Sequence, residues 1–577
     1  MRIALAGTAL KFPLVKQSAA HYNYAIGCLE AYLRQQAPDV QVAQQQLRIA
    51  PGQTTLPKGT ADGILSTDPE VVGLSTYCWD VDALAVVAGE IRARAPSVKI
   101  IVGGPAVTFD PEGVLRDVPA FDVAVIGEGE QTLLRLLQDL REPRKVPGVA
   151  WRHGDDVRVT SDPEPPVPVT ELPSAYLAGV LDPPPYNIAV EASRGCGKRC
   201  AHCAWRAFAG GLRYADPRRL GDELRWAVAR GHRHAMFLDS AINFDTDRLV
   251  TITDAVAEAV PNREMGFMYF LHQERVDAAQ LRALERMKSH QIAVGFESSN
   301  GAALRALRRP AVNPARFAQT LDDLSAIGPV HVTLMLGIPS DTLEGFRASF
   351  EYVASLIDGP RGRRISGIHL FWTVVPRGSE MARDPSFKPR TANKGVPYLL
   401  ESSTFSRADM VEAFRFVAGH PASPFVEWMD AHPSLHFPEA ADIDVEHMVG
   451  GRLDDRLPGP APAIDAIEAA ATDVLGALSI DALEALSPSC RAGAVLVGSW
   501  KVTQRRIRDG WPHVVIESGG QELEICVEHY REGQRYFVRA GPYALSWRAD
   551  HSRAGGQLDE SAIRAIQTIA DELGARG

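Results

Sequence analysis

The sequence has few cysteines and no long apolar run. Seven cysteines are spread over 577 residues, too sparsely for the disulfide framework of a small secreted domain. No stretch reaches the roughly 18 consecutive apolar residues of a membrane-spanning helix, and the apolar run in MRIALAGTALKFP is too short for a signal peptide. We therefore expect a cytoplasmic protein with no membrane partner.

Positive charge is also scarce. The chain has 61 Lys and Arg against 71 Asp and Glu, a net charge of -10, and its basic clusters are as short as RGRR at 361–364. Such a chain has no overall field that attracts nucleic acid, so we expect no nucleic-acid partner. Its length allows about three to four domains.

Short apolar runs alternate with helix-period segments over residues 1–142. The runs RIALAG, VVGLST, KIIVGG and VAVIG end in small residues, a pattern typical of buried parallel strands in a doubly wound, Rossmann-like α/β sheet. Ligands of such sheets bind beyond the carboxyl ends of the strands. The candidate binding residues there are Ser75, Thr76, Gly103, Gly104, Pro105, Gly127, Glu128 and Gly129.

Four further regions follow the first domain. Residues 143–185 are predicted to form a hairpin and a proline-rich linker, and six strand–helix repeats over 186–398 predict a partial barrel of the TIM type. Residues 399–485 are expected to be mainly helical. Residues 486–577 change to hairpin-like alternation and a closing helix, which predicts a small α+β domain.

Three cysteines cluster in ASRGCGKRCAHCAW, directly after the first predicted barrel strand. Cys196, Cys200 and Cys203 have the spacing C-x3-C-x2-C. Cubane iron–sulfur clusters normally use four cysteines, so three would leave one iron open to an exogenous ligand, as in an open catalytic metal site. The alternatives are a coincidental triplet or a structural zinc site recruiting His202, although its neighbour Cys203 would then have to bind the same ion.

The triplet at the end of the first strand of a six-unit barrel resembles the radical S-adenosylmethionine (SAM) superfamily. The resemblance implies that the three cysteines hold a [4Fe–4S] cluster, whose fourth iron binds SAM. It further implies that an external reductant of the flavodoxin or ferredoxin type supplies one electron, and that SAM is cleaved to a 5′-deoxyadenosyl radical. Residues matching the family's SAM site are Trp205, Asp239, Asn243, Glu297, Ser298, Gly337 and Pro339.

Two points qualify this match. The second strand ends in LDS, where the family often has a GGE-like segment that contacts the SAM amino group. For Asp239 and Glu297, a helix-capping or loop-bonding role remains an alternative to contact with SAM.

The first domain resembles the cobalamin-binding domain of the B12-dependent radical SAM class. The matching segments are VVGLSTYCW, KIIVGGPAV and FDVAVIGEGEQTL, in that order. The resemblance implies cobalamin contacts from the strand-end residues given above and from Tyr77 and Trp79. A D-x-H-x-x-G signature is absent, so we expect no histidine below the cobalt. Trp79 would keep water from the lower cobalt face, or is ordinary core.

Together these features predict a cobalamin-dependent radical SAM methyltransferase. It would move a methyl group from SAM, through cobalamin, to an unactivated carbon of a small-molecule or peptide natural-product intermediate. Two alternatives remain: a B12-dependent cyclase or rearrangement enzyme without net methylation, and a radical SAM enzyme whose first domain is only an interaction module. A methylthiotransferase is disfavoured because only Cys28 and Cys78 lie in the first domain. No general acid–base residue can be assigned.

Overall fold

The computed structural model describes most of the first 443 residues and a set of strands near the C-terminus. The described residues are 1–10, 22–49, 52–183, 187–203, 205, 211–360, 362–428 and 430–443, with strands between 496 and 554. The chain divides into two compact units, Met1–Gly451 and Arg452–Gly577. Among the described residues, no helix is both long and apolar enough to span a bilayer.

The first unit begins with a seven-stranded sheet in the order β2-β1-β3-β4-β5-β6-β7. The elements are β1 Arg2–Leu10, α1 Tyr24–Gln36, β2 Gln41–Ile49, α2 Thr60–Leu65, β3 Val71–Ser75, α3 Val81–Arg94, β4 Lys99–Gly103, α4 Pro105–Thr108, α5 Pro111–Asp117, β5 Val123–Val125, α6 Glu130–Gln138, β6 Val149–His153 and β7 Asp156–Val159. Strands β1 to β5 are parallel, with apolar clusters on both faces. The predicted doubly wound α/β sheet is confirmed.

The strand order places a switch point between β1 and β3, because the chain leaves β1 to form β2 on one side and β3 on the other. Ligands of doubly wound sheets bind at such a point, outside the carboxyl ends of the strands. Here Asn23 joins the two strand ends, since its Nδ2 donates to the Thr8 carbonyl oxygen at 3.1 Å and to the Ser75 hydroxyl oxygen at 3.3 Å. The same side chain caps α1 by accepting from the backbone N–H of Ile26.

The predicted hairpin exists but lies in this first sheet. Strand β6 pairs antiparallel with β5, and β7 pairs with β6, so the sheet continues past residue 142, where the first domain was expected to end. Strand β2 was not predicted. Its sequence QVAQQQLRI is mostly half-buried, as befits an edge strand that buries few of its side chains.

A second sheet of seven parallel strands follows, in the order β20-β17-β14-β13-β12-β11-β8. The elements are β8 Asn187–Val190, β9 Ser193–Arg194, β10 Arg213–Tyr214, α7 Pro217–Ala229, β11 His234–Phe237, α8 Thr246–Ala259, β12 Gly266–Leu271, α9 Ala278–Leu284, β13 Ser289–Glu297, α10 Gly301–Ala306, α11 Pro314–Ser325, β14 Val330–Leu336, α12 Leu343–Ser355, β15 Asp358–Gly359, β16 Gly362–Arg363, β17 Gly367–Trp372, α13 Glu380–Arg383, β18 Arg390–Thr391, β19 Leu399–Glu401, α14 Arg407–Gly419 and β20 Val426–Trp428. The six predicted strands are present, and helices cover the outside of a partial barrel.

The seventh strand, β20, lies in the region expected to be mainly helical. It pairs parallel with β17, so the barrel sheet extends beyond residue 398. Of that region, α14 is helical, and residues 444–485 lie outside the described part of the chain. A strand of three residues offers too short an apolar run for sequence periodicity to detect.

The second unit contains an antiparallel meander of seven strands in chain order. These are β21 Leu496–Val497, β22 Trp500–Arg508, β23 Trp511–Ser518, β24 Gln521–Tyr530, β25 Gly533–Ala540, β26 Tyr543–Arg548 and β27 Arg553–Ala554. The hairpin strands predicted there are therefore present. The predicted closing helix lies outside the described residues.

Candidate active site

The carboxyl ends of the two sheets in the first unit open onto one cavity of about 1400 Å³. Cys196, Cys200 and Cys203 line it from the barrel, and Ser75, Tyr77, Trp79, Gly103, Gly104, Pro105, Gly127, Glu128 and Gly129 line it from the first domain. Trp205, Asp239 and Glu297 also belong to the lining, which is mostly apolar. The two sets of residues that the sequence assigned to two cofactors therefore face one space.

The cysteine loop is fixed by its backbone. Gly195 has φ +86, and a Cβ there would overlap the carbonyl oxygen of Gly211, so only glycine fits where the loop leaves β9. The N–H of Ala201 donates to the carbonyl oxygen of Leu307 at 3.2 Å. The backbone N–H of Lys198 donates to the Cys196 sulfur at 3.4 Å. The Nζ of Lys198 lies 2.7 Å from Oε1 of Glu274.

The thiols lie in an environment that resists uncompensated negative charge. Burial raises the pKa of Cys203 to about 12. Burial also raises the pKa of Cys200, against the opposing effect of the Arg309 guanidinium beside it. Thiolates, the form that binds metal, would therefore be stabilised here by bound positive charge.

Within the described residues, the cysteine triplet does not bring three ligand atoms within 4.8 Å of one another. A [4Fe–4S] cluster binds its cysteines through different irons, so it accepts a wider spacing than one tetrahedral ion with Zn–S bonds of about 2.3 Å.

Glu297 is aimed into the cavity by an irregularity of its strand. The pairing of β13 with β14 shifts register between Gly295 and Glu297, and Glu297 has φ +65, a left-handed conformation that is uncommon for a residue with a side chain. Such bulges re-aim side chains beside active sites. The carboxylate pairs with Arg309 at 3.2 Å and accepts from Thr333 at 3.3 Å.

Asp239 lines the cavity but also fixes the start of the cysteine loop. Its two oxygens accept from the N–H of Ala192 at 3.0 Å and from the hydroxyl of Ser193 at 2.5 Å. Burial raises the pKa of this carboxyl to about 7, against those two hydrogen bonds. The loop-bonding role weighed against contact with SAM is thus present in the structure.

Four residues predicted to contact SAM are not among the described residues that line the cavity: Asn243, Ser298, Gly337 and Pro339. Asn243 is fully buried and bonds the backbone of His272 in both directions, at 3.0 and 2.8 Å. The hydroxyl of Ser298 is engaged with Asp341 and Ser349. The side chains of Asn243 and Ser298 hold neighbouring loops together, and the SAM contacts of the four residues stay a prediction.

On the first domain, the loop after β3 presents two stacked rings. Tyr77 and Trp79 lie with ring centroids 4.4 Å apart and planes 7° from parallel, and both line the cavity. Asp80, in the same loop, is fully buried and does not line the cavity. It accepts from the Thr8 hydroxyl at 2.5 Å and from the N–H of Tyr77 at 2.6 Å, and so fixes the loop that carries the rings.

Ser75 and Thr76 differ in what they can offer a ligand. Ser75 lines the cavity, whereas Thr76 is fully buried and its hydroxyl donates to the carbonyl oxygen of Gly103 at 2.8 Å. The side chain of Thr76 therefore joins β3 to β4, and its contact with cobalamin stays a prediction. A Cβ at Gly104, which has φ +107, would lie 2.5 Å from the carbonyl oxygen of Thr76, so this turn needs glycine.

Glu128 is tied to the barrel as well as lining the cavity. Arg194 of β9 lies 3.3 Å from Glu128, 2.6 Å from Glu130 and 2.9 Å from Glu191. Arg213 also pairs with Glu128. The predicted cobalamin residue Glu128 is therefore part of an ion-pair network that joins the first domain to the barrel.

Several polar groups around the cavity were not predicted from the sequence. Arg309 directly follows Arg308, and Arg194 lies two residues before Cys196, but neither arginine was assigned a role. Among the described residues that line the cavity, Trp79 Nε1, His202 Nδ1 and His272 Nε2 are buried without a hydrogen-bond partner. Buried polar atoms are normally paired, so these three nitrogens fit a cavity whose ligands supply the partners.

Comparison with known families matches both halves of this cavity. Residues 13–137 match the B12 binding domain, and residues 190–353 match the Radical SAM superfamily. The chain belongs to the cobalamin-dependent radical SAM enzymes. The first domain implies cobalamin, and the second implies SAM and a [4Fe–4S] cluster.

Two curated relatives are methyltransferases. The chain is 34% identical over 205 residues to the 2-(S-pantetheinyl)-carbapenam-3-carboxylate methyltransferase of Streptantibioticus cattleyicolor, covering 32% of this chain and 30% of the relative. It is 29% identical over 313 residues to the cobalamin-dependent radical SAM methyltransferase TokK of Streptomyces tokunonensis, covering 50% of this chain and 45% of the relative. The matches thus span less than half of either relative.

Solved structures share the fold. The radical SAM methyltransferase TsrM of Kitasatospora setae, with tryptophan and a SAM analogue bound, aligns with a TM-score of 0.53 at 15% identity, covering 68% of this chain and 80% of that one. The cobalamin-dependent enzyme OxsB without ligands aligns with a TM-score of 0.53 at 15% identity, covering 82% of this chain and 75% of that one.

Proposed function

We propose that the chain is a cobalamin-dependent radical SAM methyltransferase that methylates an unactivated carbon of a small-molecule or peptide natural-product intermediate. The observation that carries this proposal is the single cavity that both the cysteine loop and the loop after β3 line. Two cofactor sites that open onto one space can act on one substrate placed between them. This arrangement also weighs against a first domain that serves only for interaction.

Each part of the cavity has a role in this proposal. Cys196, Cys200 and Cys203 would hold the [4Fe–4S] cluster, and the rings of Tyr77 and Trp79 would lie against the corrin. When bound, the cluster with SAM supplies a carbon-centred radical, and cobalamin supplies a transferable methyl group. The electron would come from a flavodoxin- or ferredoxin-type donor.

The chain itself contributes positioning, charge and exclusion of water. Arg309 places positive charge beside Cys200 and Glu297, which offsets the charge of ligating thiolates in a medium of low polarity. Asp239 and the backbone contacts of Ala201 and Lys198 hold the loop in one conformation. The mostly apolar lining keeps a reactive centre away from water. At about 1400 Å³, the cavity exceeds the roughly 300–1,000 Å³ typical of a site for one small ligand.

Two relatives bear on the acceptor. The Streptantibioticus relative is named for a carbapenam with a pantetheinyl side chain, which supports a small-molecule acceptor. A ring-forming alternative is supported more weakly by a 25% identity over 233 residues to the anaerobic magnesium-protoporphyrin IX monomethyl ester cyclase of Synechocystis, covering 38% of this chain and 46% of that enzyme.

The test uses the full chain, reconstituted anaerobically with iron, sulfide and cobalamin, and supplied with a reduced flavodoxin-type electron donor and SAM carrying a deuterated methyl group. Without an acceptor, we expect corrin absorption to remain with the chain after gel filtration and S-adenosylhomocysteine to form. With the pantetheinyl carbapenam as the first acceptor tried, we expect one labelled methyl group in place of one hydrogen, with 5′-deoxyadenosine as co-product.

Three outcomes separate the alternatives. If the chain retains no corrin, the result favours a first domain that serves only as an interaction module. Formation of 5′-deoxyadenosine with no S-adenosylhomocysteine, with or without acceptor, would favour a cyclase or rearrangement enzyme. Cys526→Ser, which removes a thiol from the second unit, is the matched control for Cys200→Ala: only the latter is expected to abolish both products.

A further inference from the structure

Two histidines and a glutamate meet inside the barrel at the end opposite the cavity. His331 is the second residue of β14, His369 the third of β17 and Glu427 the second of β20. Side chains alternate along a strand, and Thr333, Met335 and Phe371, further along β14 and β17, line the cavity. The three residues therefore occupy the interior face, near the amino ends of the strands. We call them the floor cluster.

The ligand atoms of the floor cluster converge on one another. Nδ1 of His331 lies 3.1 Å from Nε2 of His369 and 3.1 Å from Oε1 of Glu427. Nε2 of His369 lies 2.8 Å from Oε2 of Glu427. The side chains are only 12%, 5% and 18% exposed, in the order His331, His369 and Glu427. Water therefore satisfies little of the hydrogen-bonding capacity of these three side chains.

These three contacts cannot all be ordinary hydrogen bonds. An ionised carboxylate only accepts, so each imidazole nitrogen would need a proton to bond it. Two protonated nitrogens would then face each other across 3.1 Å, with no lone pair to receive either proton. The amide nitrogen of Gln291, 3.0 Å from Nε2 of His369, adds a further group to the same nitrogen. A cation removes the conflict because both imidazole nitrogens and both carboxylate oxygens can offer it a lone pair.

The distances match the coordination of zinc. Zn–N bonds of about 2.0–2.1 Å and Zn–O bonds of about 2.0–2.2 Å place neighbouring ligand atoms of a tetrahedral site about 3.3–3.5 Å apart. The 2.8–3.1 Å separations of the floor cluster would widen by about 0.2–0.7 Å on binding the ion. A His2Glu set with one further position is an established ligand set for this ion.

A glycine leaves space beside two of the ligand atoms. Gly367 pairs directly with His331 across β14 and β17. A Cβ at Gly367 would overlap Nδ1 of His331 and lie 2.8 Å from Oε1 of Glu427. Its φ lies outside the range that favours glycine, so the backbone conformation does not require this residue. The missing side chain instead preserves room around the cluster.

We propose that His331, His369 and Glu427 bind a zinc ion that joins β14, β17 and β20 at the amino end of the barrel. A water molecule would complete a tetrahedral site, as would the amide oxygen of Gln291 once its side-chain amide is turned by about 180°. The ion would fasten the short strand β20 to the sheet. None of the four residues is among the described residues that line the cavity, so this site is separate from the radical chemistry and does not depend on the proposed methyl transfer.

The test counts metals in the intact holoenzyme. The full chain, reconstituted with its cluster and cobalamin, is freed of loose metal on a chelating resin, incubated with Zn²⁺ and gel-filtered. Elemental analysis then reports iron for the cluster, cobalt for cobalamin and zinc for the floor cluster in one sample. We expect about one zinc ion per wild-type chain and at least a fivefold loss in His369→Gln and Glu427→Gln. Gly367→Ala keeps every ligand but fills the space, and should lose zinc to the same degree.

Two controls locate the ion. His420 lies 3.2 Å from a single carboxylate, that of Glu351, and outside the floor cluster. The variant His420→Gln should therefore keep the zinc. The triple variant Cys196→Ala, Cys200→Ala and Cys203→Ala should also keep zinc while losing iron. Because that variant needs no change in the floor cluster, it remains informative even if the floor variants do not fold.

The proposal is overturned by any of three results. These are no zinc on the wild-type chain, undiminished zinc in all folded floor variants, or loss of zinc with the three cysteines. Thermal unfolding gives a second readout, because an ion that binds only the folded chain raises its melting temperature. Zn²⁺ should raise the melting temperature of the chelator-treated wild type, and an unchanged melting temperature would also count against the site.

Discussion

The two ends of the barrel use polar residues in opposite ways. At the carboxyl end, the cavity is lined by nitrogens without partners, a glutamate in a left-handed conformation and thiols whose pKa is raised. At the amino end, His331, His369 and Glu427 pair with one another beneath a continuous apolar core. In barrels of this type, chemistry gathers at the carboxyl end and stability at the other. Here the difference extends to individual side chains.

The largest effect is expected from Cys200→Ala at the carboxyl end. Loss of a residue that only supports a metal ligand typically costs 10–100-fold, so loss of the ligand itself should lower SAM cleavage by more than about 100-fold. The measurement is 5′-deoxyadenosine released per minute, with iron per chain measured in parallel. Glu427→Gln at the other end should retain most of the turnover per bound cluster. If Cys200→Ala and Glu427→Gln lose SAM cleavage to the same extent, the two ends of the barrel do not differ in this way.

A second comparison uses two neighbouring arginines. Arg309 and Glu297 are 16% and 10% exposed, whereas Arg308 and Glu380 are 51% and 37% exposed. Arg309→Gln leaves a buried carboxylate without its cation and should lower the free energy of unfolding by about 3 kcal/mol. Arg308→Gln breaks an exposed pair and should cost no more than about 0.5 kcal/mol. Urea denaturation of the cluster-free chain measures both, and similar costs would contradict the burial argument.

A smaller effect concerns pH. Burial raises the pKa of Asp239 to about 7 from an ordinary 3.8, so between these values the folded chain holds a proton that the unfolded chain has released. This contribution to stability is complete below pH 3.8 and is lost as pH rises towards about 7. Between pH 5 and 7 the free energy of unfolding of the wild type should fall with pH. In Asp239→Asn the slope of this fall should be smaller, by at most about 1.4 kcal/mol per pH unit.

The pH prediction has a matched control. Asp222 is 54% exposed and pairs with Arg225 on the outer helix α7. Asp222→Asn should leave the slope of stability against pH unchanged, measured by urea denaturation at several pH values. If both variants change the slope alike, the dependence arises from overall charge and not from the buried carboxyl at the cavity.

Periodicity and spacing predicted most of the fold and the centre of the site. Buried strands such as KIIVGG and QIAVGFES are continuous apolar runs, so they could be recognised without knowledge of their partners. The cysteine triplet could be recognised because its three ligands lie within eight residues. Strands β2 and β20 were missed because β2 carries four glutamines and β20 has only three residues. Neither offers the apolar pattern on which strand prediction depends.

Residue roles were harder to predict than positions. Thr76, Asn243 and Ser298 lie at strand ends, as expected, but their side chains bond neighbouring loops. Which way a hydroxyl or amide points depends on loops distant in sequence. Arg194 and Arg309 illustrate the reverse case: their partners lie 64 and 12 positions away, as the pairs with Glu130 and Glu297 show. No local pattern marks such arginines.

The network around Arg194 has a practical consequence for dissecting the molecule. Its guanidinium lies in the barrel, while two of its three carboxylate partners belong to the first domain. Cutting the chain between residues 160 and 186 would leave a buried cation with one partner on one fragment, and adjacent carboxylates without their cation on the other. The two cofactor domains are therefore best expressed and engineered as a single piece, with exchanges between relatives made across both together.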